Sequence, residues 1–176
     1  MSVLLHKKQS PRTVSIGIIT VSSTRTVETD KSGAWIKKLT QKEGHRLDAY
    51  LIVPDNQETI HNAVMSLIHE QKIQVLIITG GTGISPQDVT IEAVAPLFSK
   101  EMSAFNALFA QLSFEQIHSA ALLSRATAGI IAQSIVFCIP GSLKAVKLAC
   151  YELIFPELGH LVKHVSERNI SSHMDQ

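Results

Sequence analysis

Three short runs constrain this chain more than anything else in it: VSIGIITV (Val14–Val21), IQVLIIT (Ile73–Thr79) and SIVFCI (Ser134–Ile139). Each is rich in β-branched residues and nearly free of polar alternation, the pattern of a strand covered on both faces. Such strands need helices above and below them, and the intervening sequence supplies candidates. Gly33–Glu43 sets Ala34, Trp35, Ile36 and Leu39 at helical spacing and stops at Gly44. Leu47–Val53 reads as a further strand closed by Pro54, and Glu58–His69 as a helix through Ile60, Ala63, Val64, Leu67 and Ile68. A glycine-rich loop, Gly80–Ser85, leads to a helix beginning near Asp88 or Thr90, and Lys100–Leu123 reads as helical in pieces. Pro140–Gly141 turns into a helix from Ser142 to Phe155, and a last helix follows Pro156. Strands alternating with helices in this way predict an α/β fold with a mostly parallel sheet and helices on both faces.

No internal repeat, low-complexity tract or linker divides the 176 residues. The expectation is a flexible arm over 1–12, one domain over 13–165 and a flexible tail over 166–176. The core must be mostly aliphatic, since aromatics are 5% of the chain. A formal net charge of +1 argues against a broad field for nucleic acid or an anionic membrane, but leaves room for a local anion site. No stretch approaches the roughly 20 apolar residues that span a bilayer. The two cysteines, Cys138 and Cys150, sit in apolar runs and form no disulfide framework, which points to a reduced, cytoplasmic setting.

In open α/β sheets, ligands bind beyond the carboxyl ends of the strands. After Ile73–Thr79 comes Thr79-Gly80-Gly81-Thr82-Gly83, and then Asp88-Val89-Thr90. Glycines packed this densely let the backbone turn tightly and point amide groups at an anion, most often phosphate, with Thr79 and Thr82 as further hydroxyl donors. No Gly-Lys-Ser/Thr follows, so this is not a Walker A loop. Asp88 has two readings: a helix cap, or a carboxylate that tolerates phosphate because Mg²⁺ lies between them. Asp55, behind Pro54, is either a turn residue or a second carboxylate on the same edge. Pro140-Gly141-Ser142 is either a turn with Ser142 capping a helix or another amide cradle, with Lys144 one turn on. Arg125, after Ser124, could clamp phosphate or pair with a surface carboxylate. His160 and His164 share a helix face but lack an evident third metal ligand, and Cys138 reads as packing.

Together, Ile16–Arg25 (IGIITVSSTR), Asp30–Gly33 (DKSG), Ile78–Phe98 (ITGGTGISPQDVTIEAVAPLF), Leu122–Gly129 (LLSRATAG), Phe137–Ala149 (FCIPGSLKAVKLA) and Pro156–Leu161 (PELGHL) resemble the MoaB/Mog family of molybdenum cofactor biosynthesis proteins. The resemblance implies a three-layer α/β/α molybdopterin-binding fold, assembled as a homotrimer or a hexamer. It also implies binding of molybdopterin and, in active relatives, adenylylation of its terminal phosphate with Mg-ATP. On that resemblance Thr79, Gly80, Gly81, Thr82 and Gly83 would cradle phosphate, Asp55 and Asp88 would handle Mg²⁺ and the reacting phosphates, and Gly141, Ser142 and Ser124 would meet the pterin end. The chain departs from the family pattern in several places. Ser23 stands where Asp is frequent, Gln87 and Gln111 where Arg is common, and Ser103, Ala104 and Asn106 in place of a Pro-Gly-Phe-Gly run. Those departures keep a non-catalytic pterin-binding or scaffold paralogue open beside the enzyme, and a pterin-independent nucleotide module as a weaker third.

Overall fold

The apolar runs split by parity, and that split builds two cores. A computed structural model describes residues 11–166. Alternate residues of the central strands (Ile16, Ile18, Val75, Ile77, Ile135 and Phe137) face one way and pack with Ile36, Phe105, Phe109 and Val146. Their neighbours Ile19, Leu76, Ile78, Val136 and Cys138 face the other way and pack with Ile60, Val64, Leu67 and Val94. Strands buried on both sides account for the unbroken apolar stretches of the sequence.

The strands are β1 (Ser15–Val21), β2 (Arg46–Val53), β3 (Val75–Thr79), β4 (Lys100–Glu101), β5 (Thr127–Ile131) and β6 (Ser134–Ile139). They form a six-stranded sheet in the order β2-β1-β3-β6-β5-β4. The pairs from β2 to β6 are parallel, whereas β5 is antiparallel to both β6 and β4. The helices are α1 (Lys31–Lys42), α2 (Gln57–His69), α3 (Thr90–Val94), α4 (Ser103–Ile117), α5 (Leu143–Leu148) and α6 (Leu158–Ser166). A π-helical turn, Ala149–Ile154, extends α5. The α/β expectation with a mostly parallel sheet therefore holds.

Several local expectations change. Helix α1 begins before Gly33, because the Asp30 side chain caps it by accepting from the Gly33 amide. Lys100 and Glu101 pair with Ile130 and Gly129, so the segment read as helical from Lys100 starts as an edge strand. Ser103, Ala104 and Asn106 lie in regular helix, as the absence of Pro and Gly there allows. The arm over 1–12 and the tail over 166–176 fall almost wholly outside the described residues. Both cysteines are buried and unpaired. Burial pushes the Cys138 thiol far up and the Cys150 thiol to about 12, in keeping with packing roles. Among the described residues no helix is long and apolar enough to cross a membrane.

Candidate functional site

Strand β1 has β2 on one side and β3 on the other, so the connections leaving β1 and β2 diverge across the sheet. At this switch point the loops after β1, β2, β3 and β6 converge on a cavity of about 280 Å³. Its walls include Ser22, Thr24 and Arg25 after β1, Asp55 after β2, Gly80–Gly83 and Asp88 after β3, and Ser124 and Gly141.

The glycine loop holds a shape that other residues cannot. Gly80 has φ of 102° and Gly81 of 61°. A Cβ on Gly80 would collide with the Val21 carbonyl oxygen, and one on Gly81 would lie 2.5 Å from the Thr90 hydroxyl. Thr90 anchors the loop from α3, donating its hydroxyl to the Gly80 carbonyl at 2.8 Å and its amide to the Gly81 carbonyl at 2.9 Å. Thr79 is buried beneath the loop and donates its hydroxyl to the Pro140 carbonyl, so it supports the cradle and does not line it. The Thr82 hydroxyl is buried at the cavity wall and finds no hydrogen-bond partner among the described residues.

Asp88 is not a helix cap. Val89 occupies that position of α3, while Asp88 accepts from the Ser85 amide at 3.0 Å, and its Oδ2 would lie 2.7 Å from a Cβ on Gly83. Asp55 accepts at Oδ2 from both the amide and the hydroxyl of Ser23, at 2.8 and 2.7 Å. Its Oδ1 faces the glycine loop, 3.3 Å from a Cβ placed on Gly81. Two carboxylates thus share a cavity with the backbone of the glycine loop. The donor set is all oxygen, which suits Mg²⁺. Among the described residues no three His, Cys, Asp or Glu side chains gather as a complete metal site. Asp55 and Asp88 are the carboxylates of this cavity that could hold a cation.

Ser124 is joined to Gly83 by an isolated antiparallel bridge, and Gly141 packs close to Gly80. Ser142 lies outside the lining. It is exposed and caps α5, accepting from the Ala145 amide. Arg125 does not reach for a ligand either: it donates to the Thr82 and Gly83 carbonyls through Nε and makes a forked pair with Glu92. The Arg125 hydrogen bonds and charge hold the Glu92 carboxyl below its ordinary range.

The guanidinium that does line the cavity belongs to Arg25, which the sequence reading left without a role. It is 35% exposed, donates to the Gly141 carbonyl and lies 3.7 Å from Asp30. Burial pushes the Asp30 carboxyl up, yet hydrogen bonds from Thr20, Gly33 and Tyr50, together with the Arg25 charge, outweigh it and hold the group low. Burial and the neighbouring carboxylate push the Tyr50 phenol well up. Ser32 adds a bond to the Gly141 carbonyl. Only the short polar DKSG segment hinted at this network, because its partners lie on β1, β2 and the loop after β6.

Residues 17–160 match a family profile described as "Probable molybdopterin binding domain". The chain is 49% identical over 162 residues to molybdenum cofactor biosynthesis protein B of Bacillus cereus, covering 92% of this chain and 96% of that one. A crystal structure of a molybdenum cofactor biosynthesis protein B superposes with a TM-score of 0.87 at 46% identity, over 90% of this chain and 99% of the other. The tungsten cofactor synthesizing protein MoaB from Pyrococcus furiosus superposes with a TM-score of 0.78 at 40% identity, over 89% and 99% of the two chains.

Proposed function

The chain belongs to the MoaB/Mog family of molybdenum cofactor biosynthesis proteins, and on that premise we propose that it binds molybdopterin and adenylylates its terminal phosphate with Mg-ATP. The observation that carries this reading is the placement of Asp55 and Asp88 on the same small cavity as the glycine loop. In the transfer, an oxygen of the pterin phosphate attacks the α-phosphorus of ATP. A new P–O–P link forms, the bond to the β-phosphate breaks, and pyrophosphate leaves with its electron pair. No side-chain nucleophile is needed. The barrier is repulsion and misalignment between two polyanions, so fixed dipoles and positioning supply the catalysis.

The Gly81–Gly83 amides and Arg25 bind and orient phosphate oxygens in this scheme, while the Gly80 amide is held by the Ile139 carbonyl, and the Thr82 hydroxyl gains the partner it lacks among the described residues. Asp55 and Asp88 would hold Mg²⁺, which would supply charge neutralisation for the phosphates. Ser23 keeps Asp55 turned so that Oδ1 remains on the loop side. Gln87 and Gln111 do not line the cavity, so the missing guanidiniums leave its wall intact; that favours the enzyme over the scaffold reading. The working form is a homotrimer or hexamer in the cytosol.

The test is to incubate the protein with molybdopterin, Mg²⁺ and ATP and search for the AMP adduct by mass spectrometry. The expected result is a magnesium-dependent adduct that Asp88→Asn lowers by at least about a hundredfold, the scale of a lost charge-stabilising group, with the fold retained. A variant within a fewfold of wild type would make Asp88 a turn residue only. No adduct at all would leave the scaffold reading.

A further inference from the structure

Beyond the wall formed by Ser124 and Arg125 lies a second, larger cavity of about 580 Å³, a size suited to a small-molecule ligand. Ser124 lines both spaces, so the two are neighbours across one residue. Phe98, Phe109 and Ile91 give the larger cavity apolar walls, and Glu101 supplies a carboxylate from edge strand β4. Asn106, in the first turns of α4, donates its side-chain Nδ2 to Glu101 Oε1 at 2.9 Å. A carboxylate only accepts, so this bond fixes the amide's orientation. It also leaves Asn106 Oδ1 buried without a partner among the described residues, a cost of about 1–3 kcal/mol for an unsatisfied group.

We propose that this cavity takes the heterocyclic end of the substrate, and that Glu101, positioned by Asn106, reads a donor–donor edge. The inference rests on the pterin-phosphate reading of the adjoining cradle and names how the ring is chosen. A carboxylate oriented in this way accepts two parallel N–H bonds. A 2-amino-4-oxo pyrimidine edge presents that pair, an exocyclic amine beside a ring N–H. Adenine presents a donor beside an acceptor and mismatches the carboxylate, so the base of ATP belongs elsewhere. Pterin and guanine share the edge, but a guanine nucleoside carries an out-of-plane sugar, so pterin is the flatter guest for a slot between aromatic and aliphatic walls. Of the two site residues, Asn106 falls in the segment where the chain departs from its family's frequent Pro-Gly-Phe-Gly run, so the positioning of Glu101 by an amide goes with that departure.

The experiment uses unphosphorylated ligands, so that neither ATP nor the glycine loop decides it. Free pterin, lumazine (the 2-oxo analogue, lacking the amine) and guanosine are titrated by fluorescence or competition against the wild type and Glu101→Gln. The thermal midpoint confirms that the variant is folded, and Asn106 keeps an acceptor partner in it. Wild type binds pterin about tenfold or more tighter than lumazine, and tighter than guanosine, as a charge-assisted pair requires. Glu101→Gln loses that discrimination chiefly by weakening pterin, because an amide offers one donor and one acceptor. Equal affinity for pterin and lumazine, discrimination unchanged by Glu101→Gln, preference for guanosine or no pterin binding would each overturn the proposal. An AMP adduct formed without edge discrimination would sink this inference and spare the adenylylation reading. Edge discrimination without an adduct would do the reverse.

Discussion

Asp30 is among the most heavily supported carboxylates in the molecule: 1% exposed, and accepting from Thr20, Tyr50 and the Gly33 amide. Although burial opposes it, the hydrogen bonds and the Arg25 charge hold its pKa below the ordinary carboxylate value, so the folded chain binds that proton less readily than the unfolded one. A lowered folded value means that the stabilisation is complete above about pH 4 and is lost as pH falls through the folded value. Asp30→Asn should lower stability near pH 7 by about 1–3 kcal/mol, since hydroxyl donors then face an amide. Its thermal midpoint should also fall less steeply than that of wild type between pH 5 and pH 3. Parallel curves for the two proteins would show that another group carries the acid sensitivity. The residue scale also explains why Arg25 was illegible. Its hydrogen-bond partner, Gly141, lies 116 positions away and is a backbone carbonyl, which has no sequence signature. Asp88 was legible because glycines announce it nearby, although its alternative as a helix cap needed the structure to discard.

At the scale of elements, the hairpin between β5 and β6 contains a strained corner. Ala132 has φ of 51°, a conformation that costs an L-residue about 1–2 kcal/mol. Ala132→Gly should therefore raise stability by about 0.5–1 kcal/mol, after allowing for the extra freedom of glycine when unfolded, measured by urea unfolding at unchanged slope. A loss of stability would mean that the methyl group packs usefully. This corner also marks where the sequence was hardest to read. Thr127–Ile131 is TAGII, too short and too rich in small residues to stand out as a strand, and Lys100–Glu101 is two charged residues long. Pairing with a neighbour, not local propensity, makes both of them strands. The long apolar runs needed no such help, because burial on both faces is written in each residue.

For the whole molecule, one exposed apolar stretch calls for a partner. Leu108, Phe114, Ile117, Leu122 and Leu123 of α4 and the turn after it are all exposed, Leu122 at 80%. A homotrimer or hexamer would cover such a face, so sedimentation at micromolar protein should show the assembly, and Phe114→Glu should shift it towards monomer. A wild type that sediments only as monomer would remove the assembly from the proposal. The site, too, is a property of the whole, since its walls run from Val21 to Gly141. Sequence analysis could name the loops because parallel sheets gather ligands at strand ends; it could not tell which hydroxyls the chain's own backbone already engages, as at buried Thr79 and exposed Ser142. The position of β6 between β3 and β5 carries a last implication for biosynthesis. Until Ser134–Ile139 has left the ribosome, the largely apolar strand Val75–Thr79 has an open edge of the kind that templates aggregation. A stalled or truncated product ending before that segment should therefore reach the insoluble fraction, with no binding cleft to rescue it.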